Sequence, residues 1–237
     1  MSTPFVFLPG WCVGRGPVTA AVNAENGQIF DLPGYGEAPL ITDFHAAADD
    51  IAARLQPGTT LAGWSLGAQL ALAVAARHPD KVGKLVLVAG TASFVQHDGW
   101  PHAMAPAMLA EFAAAVAADV EAMLPRFVGG FNRGDARAKA VTLELLKLAD
   151  PRPSGEVLAT GLAWLRDIDL RLQAPRIKAP TLLIHGAADP LMPIGAAQAL
   201  ATLIPGARLE VMADCAHAPF MSRPAEFAAL LDAFLND

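Results

Sequence analysis

Short apolar runs alternate with helical periods along most of the chain. Phe5–Leu8, Ile29–Leu32, Thr60–Ala62, Leu85–Ala89, Thr181–His185 and Arg208–Met212 have strand length and end near Gly, Pro or Asp. They are largely apolar rather than alternating, which predicts a parallel sheet covered on both faces. The segments between them carry helix signals. Asp43–Gln56 opens on an acid and stops at Pro57-Gly58, and Leu66–His78 stops at Pro79. Pro193–Leu203 stops before Pro205-Gly206, and Pro224–Leu235 starts with proline in its first turn, where the missing N–H costs nothing.

This rhythm fails between about Ser93 and Lys178. No convincing strand stands there, and Ala105–Leu124, Asp135–Leu148 and Gly155–Leu170 read as helices. The expected organisation is an α/β core of residues 1–92 and 179–237, interrupted after its fourth strand by a helical cap of residues 93–178. There is no internal repeat and no low-complexity linker, and Ala113–Ala118 is ordinary helix-forming composition.

Composition fits one such domain. The 237 residues are 54% hydrophobic and 17% charged, which excludes a disordered chain. A net charge of −6 argues against nucleic acid or an anionic membrane as the main partner. Two cysteines, Cys12 and Cys215, do not make a disulfide framework and read as reduced thiols. The start, MSTPFVFLPGW, lacks the basic n-region of a signal peptide. The longest nearly apolar run, Leu61–Ala76, contains Ser65 and Gln69 and falls short of a membrane span. A soluble, cytoplasmic chain is expected, and a monomer needs no special surface.

Gly63-Trp64-Ser65-Leu66-Gly67 fits G-x-S-x-G. Alone the pattern is weak. Here a strand runs into it and a helix runs out, the setting of a nucleophile elbow. Such a turn strains the serine backbone and projects its hydroxyl above the strand ends, at the positive end of the next helix. A plain strand–turn–helix with an ordinary serine is the bland alternative.

A serine nucleophile needs a base. Of the six histidines, His217 follows the last strand, last in the order Ser, Asp, His. His45 and His78 stand at a helix start and a helix end, where solvated or capping roles fit. His97 and His102 fall in the insertion and would line its underside. His185 ends a strand and packs. Asp189, after the penultimate strand, is placed to take the Nδ1–H of His217; its bland alternative is a turn residue before Pro190. Asp214 is a rival, too close to His217 in one loop. An oxyanion needs backbone donors, and the N–H groups of Leu66 and Trp11 are the candidates. The Trp11 indole walls an acyl pocket or simply packs. Asp31–Gly36 reads as a structural turn and not a phosphate loop, because no Lys or Ser/Thr follows at the required spacing. Cys215-x-His217 offers too few ligands for a metal, and neither metal nor cofactor is expected.

Taken together, LPGW at 8–11, DLPGYG at 31–36, GWSLG at 63–67, HGxxD at 185–189 and AHAPF at 216–220 resemble the α/β-hydrolase superfamily. Within it the chain resembles the pimeloyl-[acyl-carrier protein] methyl ester esterases of biotin synthesis. That likeness rests on HP-x-x-V at 78–82, Trp100-Pro101, Arg126-Phe127, EVLATGLAWLRDIDLR at 156–171 and PAEF at 224–227. The resemblance implies a Ser65–Asp189–His217 triad, with Trp11 and Leu66 as oxyanion and substrate contacts. It implies that Phe127, Val128, Gly129, Gly130 and Phe131 bind the acyl chain, and that Arg126, Arg133 and Arg137 meet an acyl-carrier protein bearing a pimeloyl methyl ester. The departures are Pro9 in place of a histidine, the small Gly129-Gly130 pair, and a start directly on the first parallel strand.

Charge supports the cap assignment independently. Between Arg126 and Lys147, Arg126, Arg133, Arg137, Lys139 and Lys147 stand against Asp135 and Glu144, a balance of +3 in a chain of net −6. A basic cap over an apolar slot suits a long acyl chain delivered by an acidic partner; a solvated helix face is the bland alternative. The expected reaction is hydrolysis of that methyl ester to the acid and methanol. A generalist short-chain carboxylesterase with the same triad is one alternative, and a non-catalytic hydrolase-fold binding protein is another. A dehalogenase would need Asp where Ser65 stands.

Overall fold

Strands that are apolar throughout can be satisfied only by cover on both faces, and the sheet is built that way. The computed structural model describes residues 3–21 and 27–237. Six strands, β1 (Phe5–Leu8), β2 (Gly27–Ile29), β3 (Thr59–Trp64), β4 (Val82–Val88), β5 (Thr181–Gly186) and β6 (Arg208–Met212), lie in the order β2-β1-β3-β4-β5-β6. Every neighbouring pair is parallel. All residues of the inner strands β3 and β5 are buried, whereas the edge strands β2 and β6 keep exposed positions. The register pairs Leu8 with Gly63, Gly63 with Leu87 and Val88 with Ile184, which brings the strand ends carrying the candidate chemistry to one rim.

Among the described residues the helices are α1 (Gly16–Ala21), α2 (Phe44–Arg54), α3 (Leu66–Arg77), α4 (Pro106–Ala118), α5 (Val120–Phe131), α6 (Ala138–Leu148), α7 (Gly155–Asp167), α8 (Ile194–Leu203), α9 (Pro219–Ser222) and α10 (Pro224–Asn236). A 3₁₀ turn, Ala174–Arg176, precedes β5. Local chemistry sets several ends. Asp43 caps α2 by accepting the Ala46 N–H at 2.7 Å, Ser154 caps α7 through Val157, and Pro224 opens α10. Helix α3 packs on β1, β3 and β4, and α8 on β5 and β6. Helices α4 to α7 all fall between β4 and β5, with α4 against α5 and α7, and α5 against α6.

Four expected boundaries are corrected. The second strand is Gly27–Ile29 rather than Ile29–Leu32: Phe30 still donates to Phe7, and then the chain leaves the sheet for the turn at Pro33. Ala105–Leu124 is not one helix, because Asp119 breaks it (φ −156, ψ 87) and α5 runs on to Phe131. Helix α6 starts at Ala138, after Asp135, and α7 stops at Asp167, before Leu170. Between β4 and α4, isolated bridges such as Val95 to Met104 give the chain local order without a strand. Among the described residues no helix is long and apolar enough to cross a membrane.

Candidate active site

Strand β3 ends at Trp64 and α3 begins at Leu66, leaving Ser65 alone in the turn with φ 57 and ψ −118. A positive φ on a residue with a Cβ is disfavoured and needs the surroundings to hold it. The Ser65 N–H donates to Val88 and its carbonyl accepts the Ala68 N–H, both at 3.0 Å. Close packing fixes the rest. A Cβ on Gly63 would lie 2.2 Å from the Gly67 carbonyl oxygen, and one on Gly67 would lie 2.3 Å from that of Leu8. Only glycine at both positions lets strand, helix and first-strand loop meet beneath the serine.

Ser65 Oγ stands 2.9 Å from His217 Nε2, and His217 Nδ1 stands 2.7 Å from Asp189 Oδ2. The other oxygen of Asp189 accepts the N–H groups of Leu191 and Met192, each at 2.9 Å. The carboxylate therefore cannot turn, and His217 donates Nδ1–H to it while offering the Nε2 lone pair to the hydroxyl. All three side chains are buried. Trp64 adds a clamp: its indole N–H donates to the His217 carbonyl at 2.7 Å, and its ring lies 5.6 Å from the imidazole, with Phe131 at 5.0 Å on the other contact. His185 lies 3.6 Å from Asp189 Oδ2, yet its Nε2–H is given to the Met192 carbonyl at 2.6 Å. Burial holds its pKa below the ordinary histidine range, so it stays neutral and leaves the acid to His217.

The loop after β1 passes directly over Ser65: a Cβ on Gly10 would lie 3.3 Å from that of Ser65. Among the described residues neither the Trp11 nor the Leu66 N–H has a protein acceptor, which suits two donors kept for an oxyanion. The loop is anchored on both sides. The Cys12 N–H donates to the Tyr35 hydroxyl at 3.0 Å, and the Trp11 indole N–H donates to Leu158 of α7 at 3.1 Å. Tyr35 belongs to the turn that reads as merely structural in the sequence, and its contact with the loop has no local signal.

Beside Ser65 the free space is only about 10 Å³, walled by Trp11, Trp64, Phe127, Phe131, Leu191 and His217 among others. An outer cavity of about 320 Å³ shares Phe127, Phe131 and Leu191 with it and is lined further by Met104, Met108, Phe112 and Met123, with Arg126 as its one cation. A larger cavity of about 570 Å³ lies between α4 and α7, but it contains no triad residue.

Of the residues expected to bind the acyl chain, Phe127, Gly130 and Phe131 line the outer cavity, whereas Val128 and Gly129 do not. The Val128 carbonyl accepts the Asn132 side chain, and Gly129 faces Thr142 of α6. Arg126, Arg133 and Arg137 are all exposed, and one guanidinium nitrogen of Arg137 donates to the Ser222 carbonyl at 2.7 Å. His97 and His102 are exposed rather than under the cap. His78 binds Asp49, and Asp214 faces Arg223. Sequence reasoning missed Asp135, a buried carboxylate that receives the Ala216 N–H beside His217. Both cysteines are free and buried, and among the described residues no cluster of three or more His, Cys, Asp or Glu could hold a metal ion.

Residues 3–224 match the family described as the alpha/beta hydrolase fold. The chain is 39% identical over 211 residues to the pimeloyl-[acyl-carrier protein] methyl ester esterase of Aromatoleum aromaticum, covering 85% of this chain and 84% of that protein. It is 38% identical over 236 residues to the protein of the same name from Chromobacterium violaceum, covering 95% and 91%. Among solved structures, the esterase of Exiguobacterium antarcticum superposes with a TM-score of 0.89 at 27% identity, covering 100% of this chain and 92% of that one.

Proposed function

The chain belongs to the alpha/beta hydrolase family, and from that premise we propose that it is a serine carboxylesterase that hydrolyses the methyl ester of pimeloyl-[acyl-carrier protein] in biotin synthesis. The observation that carries the chemistry is the continuous contact from Ser65 through His217 to Asp189, 2.9 and 2.7 Å long. The identity of the ester leans on the names of relatives at 31–39% identity.

Ser65 Oγ attacks the ester carbonyl while His217 Nε2 takes its proton. The N–H groups of Trp11 and Leu66 receive the oxyanion, a stabilisation of about 10²–10³ in rate per donor in comparable sites. His217 then protonates the departing methanol, and a water that it activates releases the acid from Ser65. The small space at Ser65 suits a methyl leaving group, and the apolar outer cavity suits the methylene chain. The carrier protein would approach the exposed Arg126, Arg133 and Arg137, the last of which also holds the Ser222 carbonyl. Two buried free thiols fit a reducing, cytoplasmic setting, and a monomer suffices.

Complementation tests this reading. A biotin auxotroph lacking its own pimeloyl methyl ester esterase should grow without biotin when given this chain, and should fail to grow when given its Ser65→Ala variant. A generalist short-chain carboxylesterase with the same triad is the second reading, and the structural likeness to the Exiguobacterium antarcticum esterase supports the esterase class that both readings share. The second reading predicts rapid turnover of short free esters and no complementation.

A further inference from the structure

Asp135 is a buried carboxylate, 7% exposed, that the triad does not use. It lies in the segment joining α5 to α6, where an acid ahead of a helix ordinarily needs one local bond. That bond is present: Oδ1 accepts the Arg137 N–H at 2.7 Å. The other two are long-range. Oδ1 also accepts the Ser222 hydroxyl at 2.8 Å, and Oδ2 accepts the Ala216 N–H at 2.9 Å, 87 and 81 residues away in sequence.

Ala216 is the residue before His217, and the neighbouring contacts join the same two segments, with donors on both sides. The Ala136 N–H donates to the Asp214 carbonyl at 2.9 Å, the His217 N–H reaches the Phe131 carbonyl at 3.4 Å, and Arg137 Nη1 holds Ser222 at 2.7 Å. The segments 131–137 and 214–222 are thus stitched together around one carboxylate. A bond from a backbone N–H to a buried, charged acceptor is short and strong, so it fixes the peptide that bears it.

We propose that Asp135 is the positioning residue of the catalytic base, holding the Ala216 peptide so that the His217 imidazole meets the Ser65 hydroxyl. The inference rests on the esterase reading of the triad. Its physical content is that the base stands where segment 131–137 puts it, and a misplacement near 1 Å costs about 10²-fold in rate.

Asp135→Asn keeps the side-chain volume but turns one acceptor into a donor, so an NH₂ must face either Ala216 or the Arg137 and Ser222 donors. The assay is p-nitrophenyl butyrate hydrolysis, with kcat expressed per active site titrated by a fluorophosphonate. Thermal midpoint and the downfield proton NMR signal of His217 Nδ1–H are recorded alongside. The expected result is a kcat about 10²-fold lower, an unchanged KM, and a shifted or lost NMR signal. Ser222→Ala removes one donor and leaves the Ala216 contact; it should show a smaller loss in kcat of the same kind, and it decides the matter if Asp135→Asn does not fold. Wild-type kcat per titrated site in the folded variants, with any loss confined to the thermal midpoint, overturns the proposal. A wild-type enzyme that hydrolyses no ester at all overturns the triad reading instead.

Discussion

Asp189 spends its two oxygens differently, and that division makes its role separable from its contribution to the fold. Oδ1 holds the Leu191 and Met192 peptides, and Oδ2 holds His217 Nδ1. An Asn at this position can keep its carbonyl on the two peptides while its NH₂ faces His217. The imidazole then takes the wrong tautomer and cannot accept the Ser65 proton. Asp189→Asn is expected to lower kcat by about 10⁴ with little change in thermal midpoint; steady-state kinetics beside a melting curve checks both halves. His185, on the same strand end, makes a separate prediction about pH. Burial holds its folded pKa below the ordinary value, so the folded protein refuses a proton that the unfolded chain accepts near about pH 6.5. The unfolded state binds more protons in that window, so stability rises with pH there. It is complete above about pH 6.5 and declines as the pH falls below it. Asp49 acts in a lower window: Arg77, then His78, hold it down to about 2, so its contribution is lost only as the pH falls below about 4. Melting curves at pH 8 and pH 5 should show the lower midpoint at pH 5, and His185→Gln should flatten that difference. An unchanged slope in the variant would remove His185 from the explanation.

At the scale of elements, the strand-to-helix turns were readable and the cap's internal joints were not. Gly63 and Gly67 around Ser65 are local signals with a steric cause, as is Pro224 at the head of α10. The contact of Ser65 with His217 and of His217 with Asp189 joins residues that this order of elements singles out. Leu32 misleads because burial and strand were read as one property: it is fully buried, yet it lies in a loop beyond the ladder. Asp119 shows the opposite error. The apolar period runs through it, but its carboxylate accepts the Ala122 N–H at 3.0 Å and starts α5 afresh. Asp135 reads as one charge on a helix, because a sequence carries no mark of contacts with Ala216 and Ser222. Asp119→Ala should cost about 1 kcal/mol, the usual value of an N-cap. Because α5 carries Phe127 and Phe131, the variant should also raise KM more than it lowers kcat. Urea melts and steady-state kinetics measure the two effects, and an unchanged stability would mean the cap contact is idle.

For the molecule as a whole, an open parallel sheet supplies the reactive rim and an inserted set of helices closes it. The space left at Ser65, about 10 Å³, is roughly that of one water, and Phe127, Phe131 and Leu191 line both it and the outer cavity. The outer cavity behind those three side chains is apolar, with Arg126 among its lining residues, an arrangement that favours a hydrocarbon chain carried by a polar partner over a free polar substrate. Mass spectrometry of pimeloyl-[acyl-carrier protein] methyl ester after incubation with the purified enzyme is the most direct test. The mass should fall by one methylene with the wild type and stay unchanged with Ser65→Ala. An intact methyl ester after incubation with a wild-type enzyme that hydrolyses p-nitrophenyl butyrate would contradict the assignment.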